Sequence, residues 1–467
     1  MSKNSCVAAE KHGTCVLRMA RVNSNIFCAI IKTHFSLQGG HTVKTAGIIA
    51  EYNPFHMGHR YQIEEVKKRT GADYVAICMS GNFLQRGVPA ICDKYERTRM
   101  ALLNGADLVI ELPAVWSTAS AEYFAHAGIS LFQKMGIVTH VCFGAECKDL
   151  SLLMQIASVL LDEEGTWQEC LAKELKKGAS FAAARSRVLL PLLKTSGFSS
   201  EELTPVLNSP NNILAIEYLK ALSSVPVASS MIPVLIPRAG AGYHDPSIDS
   251  PLASATAVRK VLYEVSHSGV PVSEVFETLT GVLPGKSLSV LSDYAKRAPF
   301  LSEDSLSAIL GYRLLSCTED FSVFADCNRD LAFRIQKKLP EYHGFSQFTA
   351  LLKSRELAYT RISRALLHIL LDIRQEDYAT AKTPDMIPYL RILGFRKQAA
   401  PLLSALKKEA SAPLVTKVAD ASKNLDTQAF SMLKKDLFAA DVYRQLMIAQ
   451  GGSCPKNEFT HGLVIVP

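Results

Sequence analysis

The stretch Gly47-Ile48-Ile49-Ala50-Glu51-Tyr52-Asn53-Pro54-Phe55-His56-Met57-Gly58-His59 runs from an apolar strand through a proline stop into the first turn of a helix. Pro54 lacks an N–H and ends the strand. Gly58 permits an anion to approach the backbone, and His56 and His59, three apart, face one side of the first helical turn. A helix start offers N–H groups to an anion, and two imidazole donors beside them make a cradle for a triphosphate whose α-phosphate gains charge in a transition state. Histidines three apart are common on helix surfaces. Their position directly after the first strand of a parallel sheet is what gives this pair weight.

Outward from this stretch, short apolar runs alternate with helical patterns. Strands are predicted at Ala46 to Ala50, Tyr74 to Met79, Leu108 to Leu112, Val138 to Phe143 and Ile232 to Ile236. Helices are predicted near Gly58 to Arg69, Lys94 to Asn104, Ala119 to Met135 and Leu150 to Leu161, with a helical region from about Thr166 to Lys220 whose last helix starts at Pro210-Asn211-Asn212. This order implies an α/β fold: a Rossmann-like parallel sheet with helices on its faces and ligands at the C-terminal ends of its strands. Beyond Ser266 no convincing strand run occurs, and an all-helical C-terminal domain is expected. Residues 1–43, which mix Ser, Asn, Cys and Gly without a sustained period, read as an appendage, unstructured or the product of a start assigned too early, with Val43 as the true beginning. The expected division is therefore 1–43, 44–265 and 266–467.

Composition bounds the remaining classes. The chain has 467 residues, long enough for two or three domains, and 48% hydrophobic with 20% charged residues is a folded rather than a disordered composition. The longest apolar run near the N-terminus, Ile26 to Ile31, is too short for a membrane span or a signal-peptide core, so neither insertion nor secretion is expected. Eleven cysteines, an odd number without a CxxC pair, suggest neither a disulfide framework nor a zinc ribbon, and point to a reducing cytoplasm. The net charge of +7 is unevenly spread: Arg329 to Pro467 carries 21 Lys and Arg against 13 Asp and Glu. That asymmetry suits a polyanion such as RNA, and equally a set of solvated helix faces.

His56-Met57-Gly58-His59 resembles the HIGH-type motif of the nucleotidyltransferase superfamily, which includes the class I tRNA synthetases. Together with MSGNFLQRGVPA (Met79 to Ala90), ADLVIELP (Ala106 to Pro113), PNNILAIEYLKAL (Pro210 to Leu222), RAGAGYHD (Arg238 to Asp245) and ASATAVR (Ala253 to Arg259), the sequence is similar to the bacterial tRNA(Met) cytidine acetate ligase family. Weaker matches at Tyr359-Thr360-Arg361 and Tyr389 to Phe395 extend the resemblance over nearly everything after the appendage. It implies activation of acetate by ATP as acetyl-adenylate and acetylation of N4 of the wobble cytidine in elongator tRNA(Met). It also implies an ATP site formed by Ile49, Ala50, Glu51, Tyr52, Asn53, Pro54, Phe55, His56, Met57, Gly58, His59, Arg60, Tyr61 and Gln62, with Gly144, Asn211 or Asn212, and Arg238. His56 and His59 are the implied catalytic pair. Local chemistry agrees in part: Gly144 ends a strand where adenosine approaches, and Arg238 follows a strand where a guanidinium holds phosphate. Gly144 equally suits a turn, and either asparagine a helix cap.

The segment Ser254-Ala255-Thr256-Ala257-Val258-Arg259 is similar to the second phosphate-binding signature of small-molecule nucleotidyltransferases, with Ala255 at the usual middle hydroxyl position. Ser254, Thr256 and Arg259 suit a leaving pyrophosphate. An N-cap with a surface arginine is the plainer reading. The loop Ser80 to Gly87 borders acetate or the RNA, or is simply packed by Phe83. In the C-terminal region Lys353, Arg355, Arg361 and Arg364 fall at helical spacing beside Tyr359, a basic face for tRNA or for solvent, with Glu356 and Leu357 interrupting the more basic run common in the family. ATP and acetate are the expected substrates, with Mg2+ as ATP's partner but no nameable ligands, and neither a membrane nor a protein partner is evident. Two rival functions remain at this stage. One is a small-molecule nucleotidyltransferase of cofactor synthesis, which has no task for a basic helical domain; the other is a non-catalytic RNA-binding protein, which has no need of both histidines.

Overall fold

The computed structural model describes residues 43–161, 167–177, 181–194, 200–224, 231–238, 254–267 and 272–467, so most of the expected appendage lies outside the described residues. Eight strands form one sheet: β1 (Thr45–Ala50), β2 (Tyr74–Ser80), β3 (Leu108–Leu112), β4 (His140–Ala145), β5 (Ile232–Pro237), β6 (Leu390–Arg396), β7 (Leu414–Val415) and β8 (Val464–Val466). The order is β5-β4-β1-β2-β3-β6-β7, with β8 also paired to β6. The first five strands are parallel, in the register Ala46↔Val75 and Ala46↔His140 across β1.

The helices that position the site are α1 (Met57–Thr70), α2 (Lys94–Leu103), α3 (Ala121–Met135), α4 (Leu150–Leu161), α5 (Pro210–Ser223) and α6 (Ala255–His267). Further along lie α7 (Arg329–Lys338), α8 (Phe345–Leu352), α9 (Tyr359–Leu371) and α10 (Thr427–Ala449). The chain steps from β1 to β2 to β3 in one direction and then returns to place β4 against the other side of β1. Right-handed crossovers therefore put α1 and α2 on one face and α3 on the other. Alternation along β1 agrees, since Gly47 and Ile49 both face α3: a Cβ on Gly47 would stand 2.7 Å from Phe132, and one on Gly128 would stand 2.4 Å from Ile49. The reversal of strand order between β1 and β4 opens a crevice at their C-terminal ends, the place where such sheets bind ligands.

The region beyond Ser266 is mainly helical, as expected, with one addition. β6 pairs antiparallel with β3 (Leu108↔Phe395), and β7 and β8 pair parallel with β6. The run Leu390-Arg391-Ile392-Leu393-Gly394-Phe395-Arg396 hides its strand because Arg391, its second residue, breaks the apolar pattern at the start. That arginine is buried beside Glu111 of β3 and Glu458, so a charge stands where the pattern calls for an apolar residue.

Candidate active site

His56 is not inside the first turn of α1 but caps it. Its Nδ1 accepts from the Gly58 N–H at 3.0 Å, and the His59 Nδ1 accepts from the His56 N–H at 3.3 Å. This reciprocal capping box is built from two imidazoles where Ser and Glu are usual. An Nδ1 that accepts is unprotonated, so each neutral ring carries its proton on Nε2. The rings stack with centroids 3.8 Å apart, and Tyr52 and Phe55 pack against His59 at 4.8 and 5.5 Å. Burial, followed by the charges of Arg238 and Arg259, pushes the His56 pKa down to about 3. Burial, His56 and Arg238 hold His59 well below the ordinary histidine value. Two fixed Nε2–H donors thus stand beside two guanidinium groups.

The helix start contributes less than the sequence suggests. The Met57 N–H donates to Val282 O at 3.0 Å, the Gly58 N–H to His56, and the His59 N–H to His56 O at 3.0 Å. These N–H groups are already used, which leaves the imidazoles and arginines as the donors for an anion. Gly58 likewise serves the imidazole more directly than a phosphate, since a Cβ there would stand 2.8 Å from His56 Cε1.

Arg259 of α6 donates to Asn53 O at 2.9 Å and to Thr256 Oγ1 at 3.0 Å, which locks it onto the loop before His56. The Ser254 hydroxyl accepts from the Ala257 N–H at 3.2 Å and so caps the start of α6. Exposed Arg238 directly follows β5, its N–H bonded to Ala145 O, and its side chain lies beside Gly144 with Gln62. A Cβ on Gly144 would make only ordinary contact, 3.5 Å from Arg238 Cγ and 3.9 Å from Gln62 Nε2, so no protein atom demands glycine there. Asn53, Pro54 and Phe55 are buried; the Asn53 side chain accepts from the Ile91 N–H at 2.7 Å. Ile49, Ala50, Met57 and Tyr61 are half-buried around this loop, whereas Arg60 points to solvent and pairs with Glu64.

The two asparagines divide their roles. Asn212 is 1% exposed, accepts from the Cys147 N–H at 2.9 Å and donates to Val206 O at 3.2 Å. Its amide is committed to tying α5 to the loop after β4. Half-buried Asn211 donates to Glu146 at 2.6 Å, and the other oxygen of that carboxylate takes the Asn212 N–H at 3.1 Å.

Three further residues hold the crevice in shape: Glu51, which the resemblance puts in the ATP site, and Arg97 and Glu146, to which the sequence assigned no role. Fully buried Arg97 donates to the carbonyls of Glu51 (2.7 Å), Ser80 (3.1 Å), Gly81 and Cys92, joining the ends of β1 and β2. Glu51 accepts from the Gln85 N–H at 2.8 Å and so anchors the Ser80–Gly87 loop, while Glu146 organises the start of α5. Only a helix buried on nearly every side would have flagged Arg97, and the charged first turn of the helix predicted from Lys94 gives no such sign.

The expected basic face does not form as one helical face. Lys353 and Arg355 lie in the connection between α8 and α9, because α8 ends at Leu352. Arg364 is buried and paired with Asp326 at 2.8 Å, and Tyr359 donates to Glu303 at 3.0 Å. Half-buried Arg361 remains on the outer part of α9, and Leu366, Leu367, Ile369 and Leu370 face inward as expected. The Ser80–Gly87 loop closes on this helix: Gly87 has φ +77°, a Cβ on it would stand 2.4 Å from Arg364 N, and Ser363 donates to its carbonyl at 3.1 Å.

A parallel sheet with two stacked histidines capping the first helix, at the point where strand order reverses, defines a nucleotidyltransferase of the HIGH type. The model of the family described as HIGH Nucleotidyl Transferase matches residues 43–457. A Clostridium kluyveri protein named tRNA(Met) cytidine acetate ligase is 36% identical over 406 residues, covering 86% of this chain and 95% of the relative. An Acetivibrio thermocellus protein of the same name is 36% identical over 91% of this chain and 100% of its own length. The crystal structure of Thermotoga maritima TmcAL superposes with a TM-score of 0.83 at 28% identity over 91% of this chain and 99% of that one. The same protein bound with alpha-thio ATP gives 0.80 at 27% identity, again over 91% of this chain and 99% of that one. The chain belongs to the tRNA(Met) cytidine acetate ligase family.

Proposed function

We propose that the protein joins acetate to N4 of the wobble cytidine of elongator tRNA(Met) in the cytoplasm, using ATP and passing through acetyl-adenylate. The observation that carries this reading is the double-imidazole cap with Arg238 and Arg259 beside it, four donors converging on a crevice of the kind that binds nucleotides. A relative of the same fold has been captured with an ATP analogue, and family members are named for the tRNA. A carboxylate oxygen of acetate attacks the α-phosphorus in line and pyrophosphate leaves. The two Nε2–H donors meet charge that builds on the α-phosphate, while Arg238 and Arg259 hold phosphate oxygens. Since both rings stay neutral, they stabilise by hydrogen bonding without exchanging protons. Cytidine N4 then attacks the acetyl carbonyl, AMP departs, and the amine proton passes to solvent. No enzyme nucleophile is needed, and burial keeps the Cys78, Cys92 and Cys142 thiols protonated.

Magnesium would enter as ATP's partner, held by the phosphates. Among the described residues no group of three or more His, Cys, Asp or Glu is placed to hold a metal ion, and no step is derived through one. No helix among the described residues is long and apolar enough to cross a membrane. The test is pyrophosphate release from ATP with tRNA present, with and without acetate. Acetate dependence supports the ligase. Equal release without acetate, or AMP transferred to a phosphorylated small molecule, supports the cofactor-synthesis rival, and no release at all supports the non-catalytic one.

A further inference from the structure

Helix α7 buries Leu331, Ala332 and Ile335 and presents Arg329, Phe333 and Lys337 outward. Residues four apart are neighbours on a helix surface, so the ring of Phe333, 65% exposed, stands between a cation one turn before it and one turn after it. Arg334 on the same helix donates to Lys353 O at 3.4 Å. That bond brings the exposed connection carrying Lys353 and Arg355 against α7. None of these five cations is in an ion pair among the described residues, although many of the chain's other Lys and Arg are. Asp330 and Glu356 are neighbours in sequence and the charge of Arg329 reaches Asp320, so three carboxylates stand against the five cations and the patch stays positive.

An exposed aromatic ring set among unpaired cations matches a polynucleotide. Phosphates suit the cations, an unstacked base suits the ring, and an acidic peptide would have no use for a flat π-face. Position agrees. α7 packs on α8 and α8 on α9, the helix that carries the Ser80–Gly87 loop at the crevice. α7 starts three residues after Asp326, which pairs with Arg364 of α9 at 2.8 Å, so the patch runs outward from the helix that meets the crevice loop.

We propose that the outer face of α7, with the Lys353–Arg355 connection, is a tRNA-docking surface on which Phe333 stacks a base and Arg329, Arg334, Lys337, Lys353 and Arg355 hold phosphates. This rests on the reading that the protein acts on tRNA. The test is filter binding of elongator tRNA(Met) transcript across a salt series, run beside acetylation assays, for the parent, F333A, F333W and R329A/K337A. F333A should weaken binding at least about fivefold with its salt slope unchanged, and F333W should restore it. R329A/K337A should flatten the log–log slope by about one unit per lost contact. Parent affinity and slope in all three variants would overturn the proposal. So would equal losses of thermal stability and tRNA-independent pyrophosphate release, or a dimer broken by F333A at unchanged tRNA affinity. A parent protein that neither binds nor acetylates tRNA would instead contradict the functional reading.

Discussion

His56 does two jobs that substitution separates. Asn caps helices as well as any residue and can accept from the Gly58 N–H, yet it carries no Nε2–H toward a phosphate. H56N should therefore fold with stability within about 1 kcal/mol of the parent and lose about 10²- to 10³-fold in pyrophosphate release. Stopped-flow phosphate detection and thermal denaturation check the pair of outcomes, and parent-rate release would remove His56 from the chemistry. The same residue makes stability depend on acidity. Its folded pKa of about 3 lies below the ordinary 6.5, so the unfolded chain takes a proton that the folded one refuses. Its contribution is complete above pH 6.5 and is lost as pH falls toward 3, by up to about 1.4 kcal/mol per pH unit. Melting temperature measured from pH 7.5 to 5 should fall more steeply in the parent than in H56N; identical slopes would contradict a buried neutral imidazole. At this scale the sequence marked both histidines by their place after the first strand. It did not reveal that they cap each other, because the backbone conformation that makes His56 an N-cap has no sequence marker when Ser, Thr, Asp and Asn are absent.

Among elements, the loop after β4 and the start of α5 form one unit held by Glu146, Asn211 and Asn212. N212A removes a buried amide together with its bonds to the half-buried Cys147 N–H and Val206 carbonyl and should cost about 1–3 kcal/mol, while N211A, at a half-buried position with a single bond, should cost less. Urea denaturation of the two variants orders them, and an equal or reversed order would show that Asn212 is not the structural tie. The parallel strands were legible because β1 to β5 are mainly apolar runs that alternate regularly with helical patterns, even though β3 carries Glu111. β6 was not, since its burial of Arg391 depends on Glu111 and Glu458, which lie far away in sequence. The single basic face expected from Lys353 to Arg364 does not form for a related reason: spacing shows which residues share a helix only if the helix is continuous, and α8 stops at Leu352.

Across the whole molecule, sheet and C-terminal region share one buried charge network. Lys94 contacts Glu111 at 2.7 Å and Glu458 at 3.0 Å, Arg391 contacts Glu111 at 3.2 Å and also Glu458, and Tyr95 donates to Glu458 at 2.9 Å. A chain cut after residue 265 loses Arg391 and Glu458, leaves the Lys94–Glu111 pair without its other partners, and bares the β3 edge. E458A should destabilise the full chain by about 3–5 kcal/mol and lower adenylation and tRNA binding together. A chain of residues 43–265 that folds and adenylates would show instead that the network is dispensable. Joining the two regions in this way holds the nucleotide crevice and the C-terminal helices in one frame, as the proposed transfer of an acetyl group from the crevice to docked tRNA requires. The most direct measurement of that claim supplies radiolabelled acetate, ATP and elongator tRNA(Met) to the intact protein and digests the RNA to nucleosides. Label recovered as N4-acetylcytidine from the wobble position, with AMP and pyrophosphate formed in equal amounts, is the predicted result; ATP consumed with no label on the tRNA would contradict it.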